Sequence, residues 1–231
     1  MNKTALVVIA SGEKYRKYAH RLLSSARNFF VPHDVVMFSD RPSDFAQITR
    51  FTIPALGYPQ ATLLRYHMFA AASGHLRKYD YVFYSDADML FVNKVEESDI
   101  FSDGITATEH PGYVGLAGTP ETNLASTAYC PSVRTYFCGG FNGGTSSAFL
   151  AMSEELRTAT DIDTKNGVRA IWNDESHLNR YLYQNPPARI LTPEFCYPQS
   201  EFLRAGRYTQ IWRNAGRTQT VPRLIAIDKE P

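Results

Sequence analysis

The sequence has little net charge. Lys plus Arg number 24 and Asp plus Glu 23, a formal balance of +1. That near-balance argues against a protein that binds nucleic acid by neutralising many phosphates. Cysteine is scarce. Cys130, Cys138 and Cys196 are odd in number and lack metal-type spacing, which argues against a disulfide framework or a zinc knuckle. No apolar run approaches the roughly 18–20 residues of a spanning helix. The opening apolar run, residues 5–10, has neither a basic region of signal-peptide length before it nor a cleavage site after it. The expectation is a soluble, cytoplasmic chain with no membrane anchor and no nucleic-acid partner. Repeats, low-complexity tracts and clear linkers are also missing.

What is present is globular composition: 231 residues, 44% hydrophobic and 20% charged. The length is enough for a sizeable core. The 14 Tyr, 14 Phe and 13 Pro suggest long ordered loops with flat apolar surfaces, a texture that fits sugar binding without proving it. Residues 4–10 are apolar at consecutive positions and read as a buried strand of a parallel sheet. Apolar residues then recur at steps of three and four over 14–30, an amphipathic helix that Pro32 ends. Strands are expected at 35–39 and 48–53, a helix at 60–76 and a strand at 81–85. Beyond Asp88 come Gly-, Tyr- and Pro-rich segments with short strands, helices at 153–165 and 174–184, and a basic, poorly periodic tail from 204. This rhythm predicts an α/β fold, a mostly parallel twisted sheet with helices on both faces. One domain is expected over 1–231, with 1–92 as a nucleotide-binding half and 93–231 as a donor-sugar and acceptor half. Ligands of such sheets gather beyond the carboxyl ends of the strands, so the loops after Ala10 and Ser85 matter most.

Three constellations could carry chemistry. Asp86 and Asp88 follow a buried strand, and alternation sends both carboxylates to one side. Two close carboxylates repel unless a cation sits between them, and a hard ion such as Mn²⁺ or Mg²⁺ would also leave positions for substrate phosphates. The bland alternative is a turn with Asp as a cap, and Asp-x-Asp is common by chance. Asp174 and Glu175 open a helix after Trp172 and Asn173. They are explained either by the positive helix end or by a carboxylate facing a developing oxocarbenium ion, with the indole stacked on a sugar. His177 reads as a supporting residue. The run from Cys138 to Gly144 has four glycines, which either admit a ligand close to the backbone or make a tight crossing. It lacks the Lys-Ser/Thr of a phosphate loop. His110 in a Pro-Gly turn is weaker. Arg65 and Lys229 are candidate cations for a diphosphate.

These pieces occur in one order: YVFYSDADMLFV at 81–92, HPG at 110–112, GGFNGG at 139–144, GVRAIWNDESHLNRYL at 167–182 and TPE at 192–194. The series resembles the family 6 glycosyltransferases, which include the histo-blood-group A and B transferases and the α1,3-galactosyltransferases. The resemblance runs from Ala10 to Lys229 and points to a microbial or viral type. It implies a GT-A fold, which is Rossmann-like, with a UDP-sugar donor, Mn²⁺ and α1,3 transfer with retention. By position it implies Asp86, Ala87 and Asp88 at the metal and UDP, with both aspartates as metal ligands. Ala10, Ser11, Gly12 and Tyr15 match the uracil segment. Arg65 matches the donor-binding arginine, and Cys138, Gly139 and Gly140 the strip that discriminates the donor sugar. Asp174 matches a donor-sugar carboxylate, Glu175 the catalytic glutamate, and Lys229 a C-terminal lysine that reaches the diphosphate. His110 and Trp172 match acceptor contacts.

Asn173 and Pro198 replace a His and an acceptor-contacting Asp of relatives. Bare glycines at 139 and 140 leave room for an N-acetyl group, which favours UDP-GalNAc over UDP-Gal. A fucosylated galactoside is the acceptor suggested by the blood-group members. A UDP-sugar hydrolase and a non-catalytic nucleotide-sugar-binding protein are the rival readings.

Overall fold

Strand β1 (Thr4–Ala10) is buried along its whole length because it has a core on each side. Leu6, Val8 and Ala10 pack with Tyr18, Leu22 and Ala26 of helix α1 (Gly12–Phe29), while Ala5, Val7 and Ile9 enter a second core. A continuous apolar run rather than an alternating one is what such a strand needs. The structure is a computed structural model and describes residues 2–42, 47–203, 206–217 and 221–228.

Strands β2 (Asp34–Ser39) and β3 (Ile48–Thr52) extend the sheet in parallel on one side of β1. Three short helices follow, α2 (Gln60–Leu63), α3 (Arg65–Ala71) and α4 (Ser73–Leu76). The single helix expected over 60–76 is therefore broken. Leu64 and Ala72 sit near φ −94° and −88° with ψ near 5°, outside the helical well. The break makes Arg65 the first residue of its own helix, and its side chain turns into the protein instead of lying on a solvent face.

Strand β4 (Tyr81–Asp86) returns to the other side of β1, parallel to it, with Ile9 paired to Asp86. The chain continues through β5 (Met89–Phe91), α5 (Glu97–Ile100), β6 (Ile105–Glu109) and a 3-10 turn at Pro111–Tyr113. Next come β7 (Phe137–Thr145), the long helix α6 (Ser146–Lys165), α7 (Asp174–Gln184) and β8 (Arg189–Leu191). The last elements are β9 (Tyr197–Pro198), α8 (Gln199–Leu203), α9 (Arg207–Asn214) and β10 (Leu224–Ala226).

The large sheet has the order β3-β2-β1-β4-β7-β6-β8. It is parallel except at β7, which runs antiparallel to both neighbours. Helix α1 covers one face, and α3, α6 and α7 contribute to the core on the other. The segment that read as a poorly periodic tail is structured where it is described. Trp212 of α9 is buried, and β10 pairs with β5 and β9 in a small second sheet. The amphipathic pattern of α9 is only two turns long, too short to stand out in a basic segment. Among the described residues no helix is long and apolar enough to cross a membrane.

Candidate active site

Strand order reverses between β1 and β4, since β2 lies to one side of β1 and β4 to the other. A crevice opens at such a point beyond the carboxyl ends of the strands. The register Ile9–Asp86 sets Ala10, Ser11 and Gly12 at the same sheet end as Asp86, Ala87 and Asp88. Ser11 Oγ accepts from Leu56 N at 2.6 Å and Gly12 N donates to Asp40 Oδ1 at 2.9 Å, so neighbouring loops fix this first turn. Tyr15 lies one turn into α1, edge-on to Tyr18 at 6.1 Å.

Arg65 is the hub of the site. Its Nη2 donates to Asp86 Oδ1 at 2.9 Å, and its Nη1 donates to the Gly139 carbonyl at 2.8 Å and lies 3.2 Å from Asp174 Oδ2. Three chain segments, β4, β7 and α7, are thereby gathered on one guanidinium. The side chain is only 5% exposed, and it lies over the Tyr84 ring at 4.4 Å. Burial disfavours its charge, but Asp174, Tyr84 and Asp86 more than offset this, and the group remains a cation. Removing one member of a buried ion pair costs about 3–5 kcal/mol, so these carboxylates depend on it.

The two acidic residues of α7 behave differently from surface carboxylates. Burial raises Asp174 to about 6 against the pull of Arg65. Burial also raises Glu175 to about 7, although the Gly139 N–H favours its ionised form. Gly139 N donates to Glu175 Oε2 at 2.9 Å. A Cβ at residue 139 would stand 3.1 Å from Arg65 Nη1 and 3.8 Å from Glu175 Oε2. The missing side chain thus lets the cation and the glutamate close in. At Gly140 an added Cβ would meet Cys196 Sγ at 3.5 Å and Asp86 Oδ2 at 3.6 Å, ordinary contacts. Cys138 and Cys196 are both buried free thiols, and a hydrogen bond with Cys138 together with burial pushes the Cys196 thiol up.

Asp86 Oδ1 takes the Arg65 bond and a 2.6 Å bond from the Tyr84 hydroxyl, and Oδ2 points across Gly140. Asp88 is half-buried, and its backbone carbonyl accepts from Ile227 N at 2.8 Å. Among the described residues no three His, Cys, Asp or Glu side chains form a metal cluster. Two carboxylates one residue apart, one with an oxygen not engaged by Arg65 or Tyr84, suit a hard cation that completes its shell with substrate phosphates.

Trp172 and Asn173 stand just before α7, and His110 just before the 3-10 turn. Trp172 is 47% exposed, and its backbone N–H donates to Ser176 Oγ at 3.1 Å. Asn173 has φ +51°, and its side-chain amide donates to the hydroxyl of exposed Tyr58 at 3.1 Å. His110 accepts from Gly112 N through Nδ1 at 3.0 Å. Burial lowers it to about 4, so near neutrality the ring is uncharged and its proton lies on Nε2.

The glycosyltransferase family 6 model matches residues 2–218. The chain belongs to that family. Family 6 relatives include histo-blood group ABO system transferase 1 of Rattus norvegicus, 29% identical over 92% of this chain and 68% of its own length. Globoside alpha-1,3-N-acetylgalactosaminyltransferase 1 of Homo sapiens is 26% identical over 91% of this chain and 67% of its own. O-antigen biosynthesis glycosyltransferase WbnI of Escherichia coli is 26% identical over 83% and 86%. The mixed sheet with helices on both faces is the GT-A-type arrangement expected of family 6.

Within this family 6 chain the structure brings Arg65, Asp86, Cys138, Gly139, Gly140, Asp174 and Glu175 together directly. Lys229 lies outside the described residues. Sequence reasoning passed over Tyr84, although its place two residues before Asp86 on one strand puts both on the same side. It also passed over the role of Asn179. Asn179 stands one turn beyond Glu175 and ties α7 to Phe137 at the start of β7 through bonds of 2.8 Å in both directions.

Proposed function

We propose that the protein is a metal-dependent, retaining α1,3-glycosyltransferase that moves N-acetylgalactosamine or galactose from a UDP-sugar to a glycan hydroxyl. The observation that carries this reading is the half-buried Glu175 carboxylate, held by Gly139 N at 2.9 Å beside an Arg65-centred acidic cluster at the β1–β4 crevice. Similarity to the globoside alpha-1,3-N-acetylgalactosaminyltransferases supports the linkage and the sugar class.

Asp86 and Asp88 would hold a divalent ion such as Mn²⁺ or Mg²⁺, which when bound supplies positive charge at the departing diphosphate. The turn from Ala10 to Gly12, with Tyr15, offers backbone and an aromatic face for the uracil. Arg65 bonds Asp86 and lies against Asp174, so its part is to aim the donor-binding carboxylates. Glu175 faces the anomeric carbon and, once ionised, stabilises or attacks it as the bond to UDP breaks. Trp172 provides an exposed face for the acceptor sugar, and neutral His110 a donor for one of its hydroxyls. Arg65 and Glu175 close in on Gly139, so the preference for UDP-GalNAc rests on the absent side chain at Gly140, beside Asp86.

A screen of fucosylated and unfucosylated galactosides with UDP-GalNAc, UDP-Gal and UDP-Glc, each with Mn²⁺ and with EDTA, tests the reading. Expected is a new α1,3-linked product with the first or second donor that disappears with EDTA. Glu175→Gln should keep donor binding while turnover falls about 10²-fold or more, ~3 kcal/mol of transition-state stabilisation. Release of free sugar with every acceptor would make the protein a hydrolase. Binding of UDP without consumption of any donor would make it a binding protein.

A further inference from the structure

The proposed chemistry uses Glu175 but leaves one buried group beside it unexplained. Tyr136 is fully buried immediately before β7. Its ring meets Tyr113 edge-on at 5.2 Å and His110 at 5.8 Å. Gly118, at φ +66°, packs so closely that a Cβ there would overlap the ring. The phenol is therefore boxed in by the loop that carries His110, and its hydroxyl faces Glu175 and Thr119. Yet that hydroxyl makes no well-formed hydrogen bond. An unsatisfied buried hydroxyl costs about 1–3 kcal/mol, so its retention in a native site calls for an explanation.

The relation between Tyr136 and Glu175 is fixed by Asn179. Its Oδ1 accepts from Phe137 N at 2.8 Å, and its Nδ2 donates to the Phe137 carbonyl at 2.8 Å and to the Glu175 carbonyl at 2.9 Å. One side chain thus ties the backbone next to Tyr136 to the turn of α7 that bears Glu175. Three residues after Tyr136, on β7, Gly139 N holds Glu175 Oε2. A carboxylate drawn partly out of water is stabilised in its ionised form by each further donor, and Tyr136 stands where it can supply a second one.

We propose that Tyr136 is the positioning residue of Glu175: its hydroxyl donates to the Glu175 carboxylate when that group ionises, and so fixes the oxygen presented to the donor sugar. The inference rests on the catalytic part proposed for Glu175. The charged and titratable groups around Glu175 are Asp174 on its own helix, Asp86 on β4, Arg65 and Tyr66 on α3, and Cys196 before β9. Asp174 and Asp86 oppose its ionisation, and the Gly139 N–H and Tyr136 favour it.

The test is a titration of Glu175 in the full ligand-free chain, followed by NMR of carboxyl-labelled glutamate with the resonance assigned through Glu175→Gln. In Tyr136→Phe the midpoint should rise by about one unit, tenfold in acidity, because the ionised form loses a charge-assisted bond. The acidic limb of the kcat profile should rise with it while the donor KM stays unchanged. A residue that served packing alone would lower activity at every pH and leave the limb in place. Incorporating 3-fluorotyrosine at position 136, a stronger donor of nearly the same shape, should lower the midpoint. It also decides the matter if Tyr136→Phe does not fold. A midpoint unmoved, or moved in the opposite direction, overturns the proposal. The titration needs no turnover, so an enzyme that transfers no sugar would sink the proposed function and still leave this readout intact.

Discussion

Glu175 and Asp174 are neighbours in sequence whose environments both resist ionisation, at about 7 and about 6 respectively. That resistance couples the site to stability. Both groups hold protons more tightly folded than unfolded, where Glu titrates near 4.5 and Asp near 3.8. Their contribution to stability is complete below about pH 4 and is lost as pH rises through the folded values. The ligand-free protein should therefore lose Tm between pH 4.5 and 7.5 and level off above. Glu175→Gln should flatten the upper part of that fall and, measured by calorimetry across the range, leave the part due to Asp174. Parallel Tm curves for the variant and the parent would show that Glu175 is not held protonated. The same residue scale shows what sequence could give about the site. Asp86, Asp174 and Glu175 were legible because acidic pairs at a strand end and a helix start are local patterns. Arg65 read as a candidate cation for a diphosphate, but its place at the centre of the cluster was not legible, because its partners Asp86, Asp174 and the Gly139 carbonyl are all distant in sequence. Tyr136 gave no sign at all, since nothing in its neighbours announces a boxed ring.

At the scale of elements, β7 resolves the two readings of its glycines. It is one continuous nine-residue strand, and its glycines serve different purposes at its two ends. A Cβ on Gly140 would make contacts of 3.5 and 3.6 Å with Cys196 and Asp86, whereas one on Gly143 would overlap the Phe83 ring and the Val82 carbonyl of β4. Gly140→Ala should therefore fold with a Tm within a few degrees of the parent and shift donor preference from UDP-GalNAc toward UDP-Gal, as a methyl takes up room near Asp86. Gly143→Ala should lose about 1–3 kcal/mol or more through overpacking, read by urea unfolding. Equal stability of the two variants would mean that the strand yields where the structure says it cannot. Elements with strong local signals were legible. The strand at residues 4–10 and the helix at 174–184 match β1 and α7 at both ends. The antiparallel course of β7 was not, because strand direction is set by partners and leaves little trace in a glycine-rich run. The break of the 60–76 helix was equally silent, since its turns at Leu64 and Ala72 fall on residues that favour helices.

Over the whole molecule, the segment with the weakest sequence signal is the one that joins the two parts of the site. Trp212 of α9 is buried with Val114, Tyr197 and Ile225, and its indole N–H donates to the Pro111 carbonyl at 2.9 Å, in the turn that follows His110. Farther on, β10 pairs with β5, and Ile227 N bonds the Asp88 carbonyl at 2.8 Å. The C-terminal segment thus braces both the His110 turn and the Asp88 turn without belonging to the seven-stranded sheet. Trp212→Ala should cost about 3–5 kcal/mol, but the loss should be confined to this brace because β1, β4 and β7 hold one another independently. Native-state hydrogen exchange should show the amides of Leu224, Ile225 and Ile227 losing about a hundredfold in protection while those of Val7 and Phe83 keep theirs. Donor KM should rise in the same variant, as the turn bearing Asp88 loses its support. If protection falls equally at Val7 and Phe83, the small sheet and the large one unfold as a single unit, and the segment supports the whole fold as well as the site.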